Sequence, residues 1–392
     1  MHSKTIAIIT GGSLFYWGGG EKYALELAKR LSKDFNITIF SKTESSERRV
    51  NNNFIKTQLE THDNVKIFYY KTFLFPIIRE YIPRISSFIT LIKKLKTIAT
   101  VINIDSSIGS LLLLSLLKFF YRTKLVFIVE DPYIFEYLLR KGPIGQGFYK
   151  IILFRYYKKF KLNLFKIFNT IVVINKDDIN LLKRLSYTGR IVYIPNFLYS
   201  NIDPNKIKCS NKFIALYVGR FDDIYHKGLD LLVNEIIPQT LEHNKDIFFY
   251  FVGSGGTFSQ KIFELERRYN GKVKYLGFLT GKNLEKVYNS ANLFLFPSRL
   301  ESFGLSLLEA QSYGLPAICF RVKGPKDIIT KKFQGILIEP FNSKKFSNAI
   351  LSFYTTFTKK RLMYLSKKKK ICKYVHGVYN AENIIPKIEE LL

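Results

Sequence analysis

Apolar positions along this chain of 392 residues follow two alternating spacings. Thr5–Thr10, Ile37–Phe40, Val65–Tyr70, Leu125–Val129 and Ile171–Ile174 are short apolar runs with the length of buried strands. Between the first two, Glu21–Ser32 places Tyr23, Leu27 and Leu31 at helical spacing. Strand, helix, strand in that order predicts a parallel sheet with helices on its faces. The pattern restarts near residue 213, with strands predicted at Phe213–Val218, Ile247–Val252, Val273–Leu276, Leu293–Pro297, Ala317–Phe320 and Ile336–Ile338. Between the two sets, Pro195–Lys212 is rich in Asn, Ser, Asp, Pro and Lys and reads as a linker. The expected fold is therefore α/β, with two doubly wound parallel-sheet domains facing a cleft and ligands at the carboxyl ends of the strands. The expected boundaries are 1–198 for the first domain, 199–212 for the linker and 213–372 for the second domain. A helix over 373–392 is expected to pack back on the first.

Composition narrows the class. With 47% hydrophobic residues, the chain can bury ample core, so an ordered globular protein is expected. The most apolar stretch, Leu111–Leu117, is too short to span a bilayer. The N-terminal run lacks the long apolar region and cleavage site of a signal peptide. Cys209, Cys319 and Cys372 are far apart, without metal-ligand spacing, which fits a reducing compartment. A cytoplasmic protein is expected.

Charge adds a partner class. Lys and Arg number 61 against 31 Asp and Glu, a formal net charge of +30 that favours anionic partners. Residues 137–176 have nine basic residues and no acid, and 340–381 also lack acids. Phe148–Phe168 adds many aromatics to six of those bases. This segment suits a membrane surface, which predicts peripheral attachment to anionic lipid on the inner face of the cell membrane, with Phe154, Tyr157 and Phe165 inserting. A core-packed helix with one basic face is the alternative. No recognised nucleic-acid motif is present, so nucleic acid is not the expected partner.

Two motifs carry chemistry. In Pro297–Ala310, a predicted strand is followed by Glu301, then Phe303-Gly304-Leu305 at a helix start, then Glu309 about two turns into the helix. Helix-start amides and the positive end of the dipole suit an anion. The two carboxylates could serve a sugar and a ribose diol, or could be ordinary helix residues. In Tyr217–Asp230, a strand ends in Gly219-Arg220 and Lys227-Gly228 follows. Fixed cations there suit a departing diphosphate, bidentately for Arg and as a point charge for Lys. Phe251–Gly256 and Val273–Leu279, with Gly277 and Phe278, are strand-to-turn sequences that let backbone approach a ligand. In the first half, Gly18-Gly19-Gly20-Glu21 sits between the first strand and helix.

These residues resemble the family-4 retaining glycosyltransferases of the GT-B fold, which has two Rossmann-like domains. The likeness rests on Glu301 and Glu309 at the signature separation, with Phe303-Gly304 after the first and Gly314-Leu315-Pro316 beyond the second. It implies a nucleotide-sugar donor, with Glu309 on the ribose and Glu301 facing the donor sugar. The backbone of Phe303, Gly304 and Leu305 would contact sugar or phosphate, Arg220 and Lys227 the diphosphate, and Gly277 and Phe278 the base. Gly18 and Gly19 would approach donor phosphates or acceptor, and Asn196 matches a hinge motif. Many members carry a His in the middle of the first domain. Here the matching place reads Val129-Glu130-Asp131, so Glu130 and Asp131 are candidate contacts to acceptor or donor hydroxyls. No Asp-x-Asp metal motif is present, and neither a metal nor a cofactor is expected. The implied activity is retaining transfer of a sugar to a glycan or lipid-linked acceptor in cell-surface polysaccharide or glycoconjugate synthesis. Competing readings are a nucleotide-sugar epimerase or sugar-phosphate synthase of this architecture, and a non-catalytic basic protein that binds membrane or nucleic acid.

Overall fold

In a computed structural model, residues 4–43, 50–75, 80–130, 156, 159–255 and 258–392 are described. The chain divides into two units, 1–196 with 381–392, and 197–380. Each unit is built on one parallel sheet.

The first unit has seven parallel strands: β1 (Thr5–Ile9), β2 (Asn36–Lys42), β3 (Val65–Tyr70), β6 (Thr100–Asn103), β7 (Lys124–Val129), β8 (Thr170–Val173) and β9 (Arg190–Tyr193). Between β3 and β6, the short strands β4 (Thr72–Phe75) and β5 (Glu80–Pro83) pair antiparallel. The sheet order is β3-β2-β1-β6-β7-β8-β9. The central strands are buried along almost their whole length because helices cover both faces, which is why they read as unbroken apolar runs. Four of the helices are α1 (Gly19–Leu31), α2 (Asn52–Thr57), α3 (Ile85–Leu95) and α4 (Ile108–Tyr121). Strands β6 and β9 were not among the expected ones. Each has four residues, and β6 shows only Val101 and Ile102 as aliphatic signal.

The second unit has β10 (Phe213–Val218), β11 (Ile247–Val252), β12 (Val273–Tyr275), β13 (Leu293–Phe296), β14 (Ala317–Phe320) and β15 (Gly335–Ile338). Their order is β12-β11-β10-β13-β14-β15. Both sheets reverse direction beside their first strand, between β1 and β6 and between β10 and β13. In open sheets of this kind, ligands bind at such switch points, beyond the carboxyl ends of the strands. Cys319 lies fully buried on β14.

Two expectations change. The stretch 199–212 is not a spacer but part of the second unit. Its carbonyls are claimed by the helix Arg361–Tyr379: Lys368 Nζ donates to Lys208 O at 2.9 Å and Arg361 donates to Ser210 O at 2.6 Å, while Lys368 also donates to Ala291 O, before β13, at 2.9 Å. That helix stays in the second unit through Tyr379, and only 381–392 joins the first. Secondly, Phe165 does not face outward. It is 1% exposed and packs against Phe127 at 5.2 Å and Phe168 at 6.2 Å, because the first sheet's core has room for a helix face there. Lys161 is also buried, while Tyr156 and Phe160 are exposed. Phe154 and Tyr157 lie outside the described residues.

Candidate active site

The tips of three strands in the second unit are tied by backbone bonds. Gly219 N donates to Val252 O at 3.1 Å, Phe221 N to Ser254 O at 3.0 Å, and Gly253 N to Gly277 O at 2.9 Å. Tyr275 OH donates to Gly253 O at 3.0 Å. Gly253 has φ +149°, and a Cβ there would fall 1.8 Å from Gly219 O, so no other residue fits. Arg220 is thereby carried at the end of β10, part-exposed, with Asp222 Oδ1 3.8 Å from its Nε.

The loop after Arg220 is pinned to the end of β13. Gly228 has φ +66°, and a Cβ would fall 1.9 Å from Pro297 O. Arg299 N donates to His226 O at 2.7 Å. The Arg299 guanidinium grips Asp230 bidentately at 2.6 and 2.9 Å, donates to Tyr225 O at 2.6 Å and lies 4.2 Å over the Tyr225 ring. This clamp sets Lys227 beside Glu301, which is 8% exposed. Lys227 Nζ donates to Glu301 Oε1, and Ser298 Oγ donates to the same oxygen at 3.2 Å. Two motifs 74 positions apart meet at the β10–β13 switch point.

Beyond Glu301, Gly304 (φ +104°) caps the helix Leu305–Ser312. The first amides of any helix lack intrahelical partners, so those of Leu305 and Ser306 are suited to an anion or a hydroxyl. Phe303 is buried, and Gly324 (φ +82°) passes so close that a Cβ would fall 2.6 Å from Phe303 O. The buried Phe303 ring meets Tyr379 edge-on at 6.1 Å and anchors the turn. Glu309 is half-buried and accepts from the buried Tyr288 hydroxyl at 3.1 Å. Burial, then the Glu309 charge, holds the Tyr288 phenol protonated, which suits this donor role. Gly277 (φ +72°) has open space at its Cβ position, and the neighbouring Phe278 ring is 38% exposed.

The remaining candidates lie in the first unit. Gly18 caps α1, and Gly19 is its first residue. Glu21 is 8% exposed, and Cβ atoms on Gly12 and Gly18 would fall 2.3 and 2.6 Å from its two carboxylate oxygens. These glycines make room for Glu21. Glu130 follows β7, and its Oε1 is enclosed without a hydrogen-bond partner among the described residues. Burial, with the Glu21 charge adding, raises its pKa to about 8. Asn196 beside it opposes part of that rise, although neither of its buried amide atoms reaches hydrogen-bond geometry. Asp131 lies outside the described residues.

Sequence reasoning overlooked several groups. Arg299 and Ser298 sit inside the Pro297–Glu301 motif, and their nearness to Glu301 was the available signal. Asp230 and Tyr288 had no local signal. In the first unit, Lys42 pairs with Asp105 at 3.0 Å and donates to Gly11 O at 2.8 Å, while Ser107 N and Oγ donate to Asp105 at 2.9 and 2.7 Å. This buried pair stands beyond β1 and β6, at the switch point of the first sheet.

Two family models match adjoining parts of the chain: Glycosyltransferase Family 4 over residues 17–199 and Glycosyl transferases group 1 over residues 200–370. The chain belongs to the group 1 glycosyltransferases. A glycogen synthase of Thermodesulfovibrio yellowstonii is 33% identical over 150 residues, 38% of this chain and 29% of its own length. An Escherichia coli UDP-Gal:alpha-D-GlcNAc-diphosphoundecaprenol alpha-1,3-galactosyltransferase is 27% identical over 183 residues, 46% of this chain and 45% of its own. The matches thus span about a third to under half of these relatives' lengths. This glycosyltransferase shares its whole fold with Anabaena HepE, solved with UDP and glucose: TM-score 0.71 at 16% identity, over 99% of this chain and 98% of that one.

Proposed function

We propose that the protein transfers a sugar, with retention of configuration and without a metal, from a nucleotide-sugar to a glycan or lipid-linked acceptor. The observation that carries this reading is the meeting of Lys227 and Glu301 beside the Arg220 strand end, next to the amides of Gly304 and Leu305. The bond from sugar C1 to the diphosphate oxygen breaks, and the acceptor oxygen bonds to C1 on the same face. The acceptor proton passes to the departing phosphate oxygen. Negative charge grows on that phosphate, and Arg220 and Lys227 stabilise it more in the transition state than in the ground state. Glu301 holds Lys227 in place and faces the sugar hydroxyls, while Glu309 takes the ribose diol. The names of the relatives support a UDP-hexose donor and an acceptor on a lipid diphosphate.

The test screens UDP-, GDP- and ADP-sugars by melting temperature and then follows the best donor by proton NMR with a lipid-diphosphate glycan. The expected product keeps the donor's anomeric configuration, and turnover persists in EDTA because two side-chain cations neutralise the leaving group. An inverted product, or activity lost to EDTA and restored by Mg²⁺ or Mn²⁺, contradicts the reading.

A further inference from the structure

In the first unit, α3 and α4 pack against each other and against one core, burying Leu91 and Leu95 from α3 and Leu111, Leu114 and Leu117 from α4. Their outward stripes are also apolar. Ile85 and Ile89 stand four residues apart on α3. Leu112, Leu116, Phe119 and Phe120 form the same kind of stripe on α4. Ile85 and Phe119 are each 81% exposed and Phe120 66%. A helix on a water-facing surface ordinarily carries polar residues there, and exposed apolar stripes on two neighbouring helices mark a surface that meets something.

Charge identifies the partner. Arg84, Lys93, Lys96 and Arg122 are exposed on or beside the same two helices. From Arg84 to Lys124 the sequence has seven basic residues and one acid, Asp105, which is buried against Lys42. A second copy of this chain would bring another cationic rim to the same contact. Nucleic acid would offer no aliphatic interior to Ile85, Ile89 and Leu112. A phospholipid surface supplies both an anionic plane for the lysines and an acyl boundary for the Phe and Ile side chains.

We propose that the α3–α4 face is a docking surface for an anionic phospholipid bilayer, with Phe119, Phe120, Ile85 and Ile89 inserted at headgroup depth. Among the described residues no helix is long and apolar enough to cross a membrane, so the contact is interfacial. This face is formed by α3 and α4, which lie outside the 148–168 segment in sequence; of that segment, Phe165 belongs to the core.

The test is co-sedimentation of the full chain with phosphatidylcholine vesicles, with and without phosphatidylglycerol. Phe119→Ser/Phe120→Ser and Lys93→Glu/Lys96→Glu are compared with the parent chain, and unchanged melting temperatures establish that both variants fold, as all four side chains are exposed. The parent chain should bind phosphatidylglycerol vesicles and release them at high salt. The Phe pair should lower partitioning by more than about tenfold. The Lys pair should lower it by more than about tenfold for the anionic vesicles only. Equal binding to both vesicle types, or a folded variant that binds like the parent, overturns the proposal. So does a lipid-indifferent dimer, seen by sedimentation equilibrium, that dissociates when Phe119 and Phe120 are replaced.

Discussion

The two sheets bring charge to their switch points in different ways. In the second unit, opposite charges are matched in contact: Arg299 with Asp230, and Lys227 with Glu301. In the first, Lys42 and Asp105 are matched, but Glu130 stands enclosed beside Glu21 and Asn196 with polar atoms unsatisfied among the described residues. A matched cation and carboxylate at a strand end make a site whose geometry is set in advance. An enclosed carboxyl with a raised pKa makes one that is neutral near pH 7 and able to donate a hydrogen bond. The difference is between a strand end that holds only matched charges and one that adds an enclosed carboxyl kept neutral by burial.

Substitutions can break that contrast. The largest effect should come from Lys227→Ala and Arg220→Ala, each removing a charge-assisted bond to the leaving group. Turnover should fall about ten- to a hundredfold with the fold intact, as measured by initial rates and circular dichroism. Arg299→Ala should follow, because it unpins the 225–228 loop and strands Asp230. It should lower stability by about 1.5–3 kcal/mol and turnover by about tenfold, and Arg299→Lys should rescue little because Lys cannot make the bidentate grip. Next, Glu309→Ala should weaken binding of free nucleoside diphosphate severalfold, whereas Glu301→Ala, which leaves Lys227 its charge, should lower transfer by more than it lowers that binding. Calorimetry with nucleotide alone separates the two, and equal losses would end the division of labour.

The smallest effect lies in the first unit. Burial holds the Glu130 pKa at about 8, above its ordinary 4.5. Between those values the unfolded chain has released a proton that the folded chain keeps. Stability should therefore fall as pH rises through this window and stay low above it. Glu130→Gln should abolish that term, raising the melting temperature at pH 9 by a few degrees and leaving it unchanged at pH 4. Parallel melting curves for both proteins across pH 4–9 would count against the raised pKa.

Much of the second unit was legible because its signals are local. All six of its strands were expected from short apolar runs, and each half of the Lys227–Glu301 pair sits in a compact motif with its own glycines. The first unit was less legible. Strand β6 is too short to stand out, and the Lys42–Asp105 pair joins the end of β2 to the turn after β6, with no motif shared between them. Phe165 misled for a physical reason: a helix rich in Lys and Phe has the same composition whether its aromatics face lipid or core, and only packing against Phe127 decides. The exposed Phe119 and Phe120 sit at the end of an apolar run that reads as core when its helical phase is ignored.

The central claim is that Arg220 and Lys227 hold the donor's diphosphate, and calorimetry tests it most directly. The nucleoside diphosphate that best stabilises the protein, its monophosphate and the free nucleoside are each titrated into the parent chain, Arg220→Ala and Lys227→Ala. The account predicts that both variants lose about tenfold or more in affinity for the diphosphate, less for the monophosphate and none for the nucleoside. Unchanged diphosphate affinity in both variants, or an equal loss for all three ligands, would contradict it.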